Sequence, residues 1–277
     1  MLTVLFASIG SFIEEISSSI IKFETENKKE SIYSAGFITM LFGAIAFAGL
    51  AFFRGSFIFT AASLPFFLPR AVLEIVQIHF SMLATMKSDR STFAFVRNLT
   101  IPLLLISDFF LGFTLQFNQF VGVLVILSIL GIILYFHIIN VKGIGYSLFS
   151  SINAVFTISL FKYDISHFNS VEAEQLVIYL VLIVYFFLAS KYIAKVNPFL
   201  LLKRPLHLVQ GTTHGIASIL ESFAIFFGNP GIAIAAKRAS AVLAGIISGH
   251  NYFQEKKFGA KIIVSLVLVI GLILLAI

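Results

Sequence analysis

Apolar stretches of about twenty residues follow one another along almost the whole chain, joined by connections too short to hold a folded unit of their own. A helix needs about 20 apolar residues to cross the hydrocarbon core of a bilayer, so the chain has room for roughly ten crossings. At 59% hydrophobic, 12% charged and a mean hydropathy of +1.02, it belongs in lipid rather than in water. The spans read from the pattern are 3–22, 32–53, 64–86, 91–113, 118–139, 143–163, 171–194, 205–227, 230–252 and 257–277. The fifth and tenth are nearly uniform in their apolarity, as expected of helices that face lipid or a second copy of the chain. The first lacks a basic leader and a small-residue cleavage site, and Glu14 and Glu15 interrupt it, so it reads as a retained helix. Cysteine is absent, which excludes disulfides, thiolate metal sites and cysteine nucleophiles. Trp is absent too, leaving Tyr and Phe to anchor at the interfaces. The net charge of +6 is scattered over short connections, which fits membrane topology and not a nucleic-acid surface.

The chain also carries a repeat. Ser11, Ser19 and Lys22 fall on Ser151, Ser159 and Lys162, and Arg97 and Ser107 fall on Arg238 and Ser248, at an offset near half the chain. The halves 1–140 and 141–277 hold five spans each, and an odd number inserts the second copy inverted. The expected fold is therefore an all-α integral membrane protein of about ten transmembrane helices in two inverted five-helix repeats. Many secondary transporters build alternating access in this way around a site near the bilayer midplane.

Polar residues form stripes on several spans. Ser11, Glu14, Glu15, Ser18 and Lys22 recur at three- and four-residue spacing on the first, Arg70, Glu74, Gln77 and Ser81 on the third, and His207, His214, Ser218 and Glu221 on the eighth. Hydrocarbon offers such groups no hydrogen-bond partner, so three stripes imply a shared polar cavity. Pro65, Pro69, Pro102, Pro198 and Pro205 mark either hinges or helix ends.

With these motifs in view, the chain resembles the drug/metabolite transporter superfamily, specifically its ten-helix EamA-type members. The segment from Ala236, Lys237 and Arg238 through Gln254, Glu255, Lys256 and Lys257 to Phe258 and Gly259 is similar to that family's ninth helix, its short charged turn and the glycine opening the tenth. The matching first-half turn, Gly112 to Gln119, lacks the Glu and Lys. Glu14 followed at eight residues by Lys22 and then Phe23 resembles the first helix of the small multidrug resistance branch, whose glutamate binds protons and cationic drugs in competition. The second half has Ala154 where Glu14 would map, so such a site is single-copy, and Glu15 is the alternative acid. The resemblance implies two halves, each an EamA-like repeat, in a multi-pass protein of the prokaryotic plasma (inner) membrane. It also implies both termini inside. The bias of Lys and Arg runs the other way, since Lys28, Lys29, Lys87, Arg90, Lys142, Lys191, Lys195, Lys203, Arg204, Lys256 and Lys257 follow odd-numbered spans and Arg54 alone follows an even one.

The candidate substrate- or proton-binding residues are Glu14, Glu15, Lys22, Lys162, Arg97, Arg238, Glu74, His214 and Glu221. A mid-bilayer carboxylate must be paired, hydrated or protonated, which suits Glu14 or Glu15 to proton exchange or to plain neutralisation by Lys22. Arg97 and Arg238 suit a bidentate anion clamp or snorkelling to the interface. Glu74 with Arg70 reads as an intrahelical ion pair. His207 and His214 stand about 10.5 Å apart along a helix, too far to share one metal ion, so they read as cavity lining, proton relay or packing. Asp108 is the one aspartate well inside an expected span, with no second nearby, so metal-dependent transferase chemistry is not expected and no cofactor is implied. The reading is a secondary active transporter of small organic metabolites, such as amino acids or amines, exporting by alternating access with proton coupling, as a monomer or homodimer in contact with lipid. The alternative is a lipid flippase or a transport-like scaffold, and no nucleic acid is involved.

Overall fold

The computed structural model describes residues 2–27, 30–104, 117–227 and 230–276. Asp108, Ser107, Lys28, Lys29 and most of the turn from Gly112 lie outside the described residues. Within them every regular element is helical: α1 (Leu2–Glu26), α2 (Ile32–Arg54), α3 (Leu64–Lys87), α4 (Arg90–Val96), α5 (Phe117–Tyr135), α6 (Ile144–His167), α7 (Val171–Tyr192), α8 (Pro205–Phe227), α9 (Pro230–Phe253) and α10 (Phe258–Ala276). Of these, α1, α2, α3, α6 and α7 are long and apolar enough to cross a membrane; α5 and α10 hold shorter apolar runs.

Local signals explain where the helices begin and end. The Ser31 hydroxyl accepts from Ser34 N at 3.1 Å to open α2, which stops at Gly55 in the left-handed region at φ 61°. The Ser170 hydroxyl accepts from Ala173 N at 3.3 Å to open α7, whose first turn carries Glu172 and Glu174 where the helix dipole favours acids. Pro65, Pro205 and Pro230 lie in first turns, where the missing N–H is of no consequence, and Pro198 opens a 3₁₀ helix. Most of the prolines are thus helix starts. Pro69 sits inside α3. The span expected at 91–113 loosens into a 3₁₀ turn at Arg97–Leu99 before helix resumes at 100–104. Pro102 cannot bond back to the Asn98 carbonyl, and the Asn98 side chain itself donates to Ala94 O at 2.9 Å and Phe95 O at 3.1 Å.

The helices pack as α1 against α8 and α9, α3 against α6, α2 between α7 and α8, α5 against α10, and α4 against α9. Small residues set the close crossings: a Cβ at Gly43 would meet the Tyr179 ring at 2.6 Å, and one at Gly211 the Phe42 ring at 2.4 Å. One apolar cluster centres on Phe37, Phe47, Phe161 and Phe186, a second on Phe95, Ile126, Ile133 and Val242. Outward faces carry Phe52, Phe53, Ile263 and Leu266, as a chain solvated by lipid would present.

Contacts between connections define two ends. At one, Lys257 Nζ donates to His137 O at 2.6 Å, Thr92 Oγ1 to Asn140 O at 3.0 Å, and Arg204 pairs with Glu30 at 2.5 Å. At the other, Ile58 N donates to Ser170 Oγ at 3.2 Å and Arg54 pairs with Glu172. The first end gathers most basic residues of the connections; Arg90 starts α4 there too, but its side chain is 3% exposed and turns inward to Glu15.

Glu255, between α9 and α10, holds this end together. Its carboxylate accepts from Arg90 N at 2.5 Å, Lys261 Nζ at 2.8 Å and the Ser91 hydroxyl, so it caps the N-terminus of α4 from another connection. Burial alone would raise its pKa, but Lys261, Ser91 and the Arg90 amide outweigh that and hold it below the ordinary carboxylate value.

Candidate functional site

Polar faces of α1, α3, α8 and α9, with contributions from α2, α4, α6 and α7, enclose a cavity of about 310 Å³. Lining it are Ser11, Glu14, Glu15 and Ser18 from α1, Arg70, Glu74, Gln77 and Ser81 from α3, and His214, Ser218 and Glu221 from α8. The three stripes therefore meet, apart from Lys22 and His207.

Most of the charges in this cavity are already paired. Glu15 accepts from Arg90 Nε at 2.9 Å and from its terminal nitrogen at 2.7 Å, and also from Ser248 Oγ at 2.5 Å and Ser19 Oγ at 3.1 Å. That arrangement is a bidentate ion pair tying α1 to α4 and α9. Glu14 contacts His214 Nδ1 at 2.9 Å, while the other ring nitrogen faces Tyr179 Oη and Ser218 Oγ at 3.2 Å each. Tyr179 donates to Ser218 Oγ at 2.7 Å, which closes a relay of polar groups running from the cavity into α7. Glu221 pairs with Lys237 of α9 and leaves its Oε1 without a hydrogen bond. Arg70 does contact Glu74, at 3.7 Å, but its short partner is Glu174 of α7, and its guanidinium lies 4.6 Å over the Phe161 ring.

Arg97 and Arg238 differ from the rest. Both line the cavity, from α9 and from the 3₁₀ turn that follows α4. Among the described residues no carboxylate forms an ion pair with either, and Nε of each is buried without a hydrogen-bond partner. Arg238 is 2% exposed, so it does not snorkel. They are close enough to repel one another; both feel Glu221, which Lys237 already engages, and Arg97 also feels Glu14 and Glu74. Phe93, 5.1 Å from the Arg97 guanidinium, offers it only a ring face. Two guanidinium groups that line a polar cavity without a direct ion pair have the chemistry to hold an anion between them.

Lys22 and Lys162 are elsewhere. Lys22 Nζ donates to the Ser88 carbonyl at 2.6 Å, lies 3.6 Å from Glu26 and sits over Phe253; Lys162 Nζ donates to the Ile225 carbonyl at 3.2 Å. The Ser88 carbonyl follows the end of α3 and the Ile225 carbonyl lies in the last turn of α8, so each lysine is held by a backbone carbonyl at or just past the end of a helix. They neither line the cavity nor pair with Glu14 or Glu15, which corrects the expected neutralisation of that carboxylate by Lys22 and puts Lys162 outside the site. His207 is fully buried against Gln210, Nδ1 to Oε1 at 2.8 Å, outside the cavity. Its place on the stripe does not expose it, because Gln210 turns it toward α2, donating to Ala35 O at 2.9 Å.

Four participants escaped the sequence. Arg90 read as a connection charge, Lys237 as part of a motif, and Glu174 and Tyr179 lay on a span without a visible stripe. The i+1 spacing of Lys237 and Arg238 was the one available signal, since two adjacent cations inside a span cannot both reach an interface. No protein-family model matches the chain, and no curated protein matches it.

Proposed function

We propose that the chain is a secondary carrier of small organic anions or zwitterions, amino acids among them, that works by alternating access of two inverted five-helix halves, as in EamA-type members of the drug/metabolite transporter superfamily. In that reading ten helices cross the plasma membrane of a prokaryotic cell. The observation that carries it is the pair Arg97 and Arg238, repeat-equivalent in sequence and, among the described residues, left without a direct ion pair in a cavity where most other charges are paired. Helix pairing supports the repeat. Exchanging α1 to α5 for α6 to α10 turns the α1–α8 contact into α6–α3 and returns α2–α7, α4–α9 and α5–α10 to themselves, and all of these contacts exist.

The anionic group of the substrate bridges the two guanidinium groups, and Glu14 with His214 and Glu74 offers negative charge to an amine. Thermal stability of the detergent-purified protein against amino acids, organic acids, amines and nucleotides tests this. A ligand at a hundred times its dissociation constant adds about 2.7 kcal/mol. Stabilisation is expected from anionic or zwitterionic compounds and is lost in Arg238→Gln. The unliganded variant should be no less stable than the parent, because an uncompensated buried charge has been removed. Stabilisation by simple amines alone, or by lipids alone as for a flippase, would refute the assignment.

A further inference from the structure

Beyond the cavity, at the end where Arg54 meets Glu172, Asp164 occupies the last turn of α6. It is fully buried, and no hydrogen-bond donor among the described residues reaches either of its carboxyl oxygens. Its neighbour is the carboxyl of Glu174, also fully buried: Asn169 ties the two residues together, its backbone N donating to the Asp164 carbonyl at 3.0 Å and its Nδ2 to Glu174 at 2.6 Å. Glu174 has both oxygens engaged: one by Arg70 from α3, the other by Asn169 Nδ2 at 2.6 Å. The charged groups acting on Asp164 are therefore Glu174 from α7 and Arg70 from α3. Glu172 is taken by Arg54 and Ser56, and the exposed His167 ring turns to Tyr163 O at 2.9 Å.

Two carboxylates side by side, with one cation and one amide between them, cannot both hold a charge away from water. A proton on Asp164 resolves the geometry, because the acid O–H then donates to Glu174 and the orphaned oxygens are accounted for. We propose that Asp164 and Glu174 form a proton-binding pair, and that Arg70 communicates its occupancy to the substrate cavity. With one proton bound, the pair carries a single negative charge and Arg70 is shared with Glu74, 3.7 Å away on the cavity wall. When the proton leaves, the doubly charged pair draws Arg70 away from Glu74, and the cavity becomes more negative and repels an anion. Pro69, immediately before Arg70, leaves this turn of α3 one backbone hydrogen bond short and able to yield. Proton and anion therefore favour each other's binding, a reciprocal coupling that co-transport of the two can use. This link rests on the carrier reading; the proton pair itself does not.

Infrared spectroscopy of the purified chain at neutral pH reads protonated carboxyl groups directly. A carboxylic-acid band is expected in the parent protein and is missing in Asp164→Asn, whose amide keeps the shape and charge of the neutral acid. A band of full strength in D164N overturns the proposal. Should that variant fail to fold, alkaline titration of the parent decides: the band must disappear as pH rises, and its absence at every pH overturns the proposal. In proteoliposomes loaded with a stabilising ligand, D164N should lose uptake driven by a pH gradient while retaining exchange of labelled for unlabelled ligand. Undiminished gradient-driven uptake overturns the coupling role. If the parent protein moves no ligand in either assay, the carrier reading fails and the infrared band still decides the proton pair.

Discussion

Replacing Glu15 by Gln separates a structural carboxylate from a titrating one. Glu15 receives two bonds from Arg90, whose side chain is 3% exposed, and one from Ser248 at 2.5 Å. The amide keeps one acceptor oxygen, loses one guanidinium bond and removes the counter-charge. Arg90 has no substitute, since its remaining terminal nitrogen already lacks a partner. A hydrogen bond to a charged group contributes about 1.5–3 kcal/mol, and breaking a buried pair from one side costs about 3–5 kcal/mol. E15Q should therefore lower the apparent melting temperature by on the order of 10 °C, at about 2–4 °C per kcal/mol for a chain of this size. Glu14, with a single bond to His214 and a side chain 30% exposed, sets the comparison: E14Q should lose about 1 kcal/mol. Thermal unfolding in one detergent at one scan rate reads both variants. The double replacement of Glu15 and Arg90 by Met should recover much of the loss, as paired apolar substitutions of buried ion pairs do. The reasoning fails if E15Q melts with the parent, or if E14Q is the more damaging of the two.

Two further outcomes follow from described contacts. Lys22→Met and Lys162→Met should each lose about 1 kcal/mol by giving up a bond to a backbone carbonyl, without moving the pH dependence of ligand binding; a shifted pH profile would return the lysines to the site. Glu255 has a folded-state pKa below its ordinary 4.5, so its contribution is complete above that value and is lost as pH falls through the lower folded one. Acid should therefore loosen the α4 end first, seen as faster amide exchange at Ser91, and Glu255→Gln should show that exchange already at neutral pH.

Periodicity and composition carried the helical spans well because both depend on neighbours in sequence: α2 was read as 32–53 and runs Ile32–Arg54, and α8 was read as 205–227 and runs Pro205–Phe227. The three polar stripes likewise announced a cavity. What a stripe cannot say is which helix covers it. His207 and His214 share a face, yet one meets Gln210 and the other Glu14 from α1, 200 residues away. Arg90 read as a surface charge because its acceptor lies 75 residues earlier. Asp164 fell one residue beyond the expected end of its span at 163, and α6 in fact continues to His167, burying it.

The long separations within this charge network have a consequence for synthesis. Glu15 enters the bilayer with α1, but Arg90 is translated 75 residues later and Ser248 233 residues later. Glu14 waits 200 residues for His214, and Lys22 waits 66 for the Ser88 carbonyl. Until the last quarter of the polypeptide leaves the ribosome, α1 cannot occupy its final environment without orphaned charges. It must be held near the translocon or the interface, or kept neutral by protonation. α1, made before its partners, is thus among the last of these helices to settle, and a ribosome stalled before α8 would leave α1 with nowhere stable to rest.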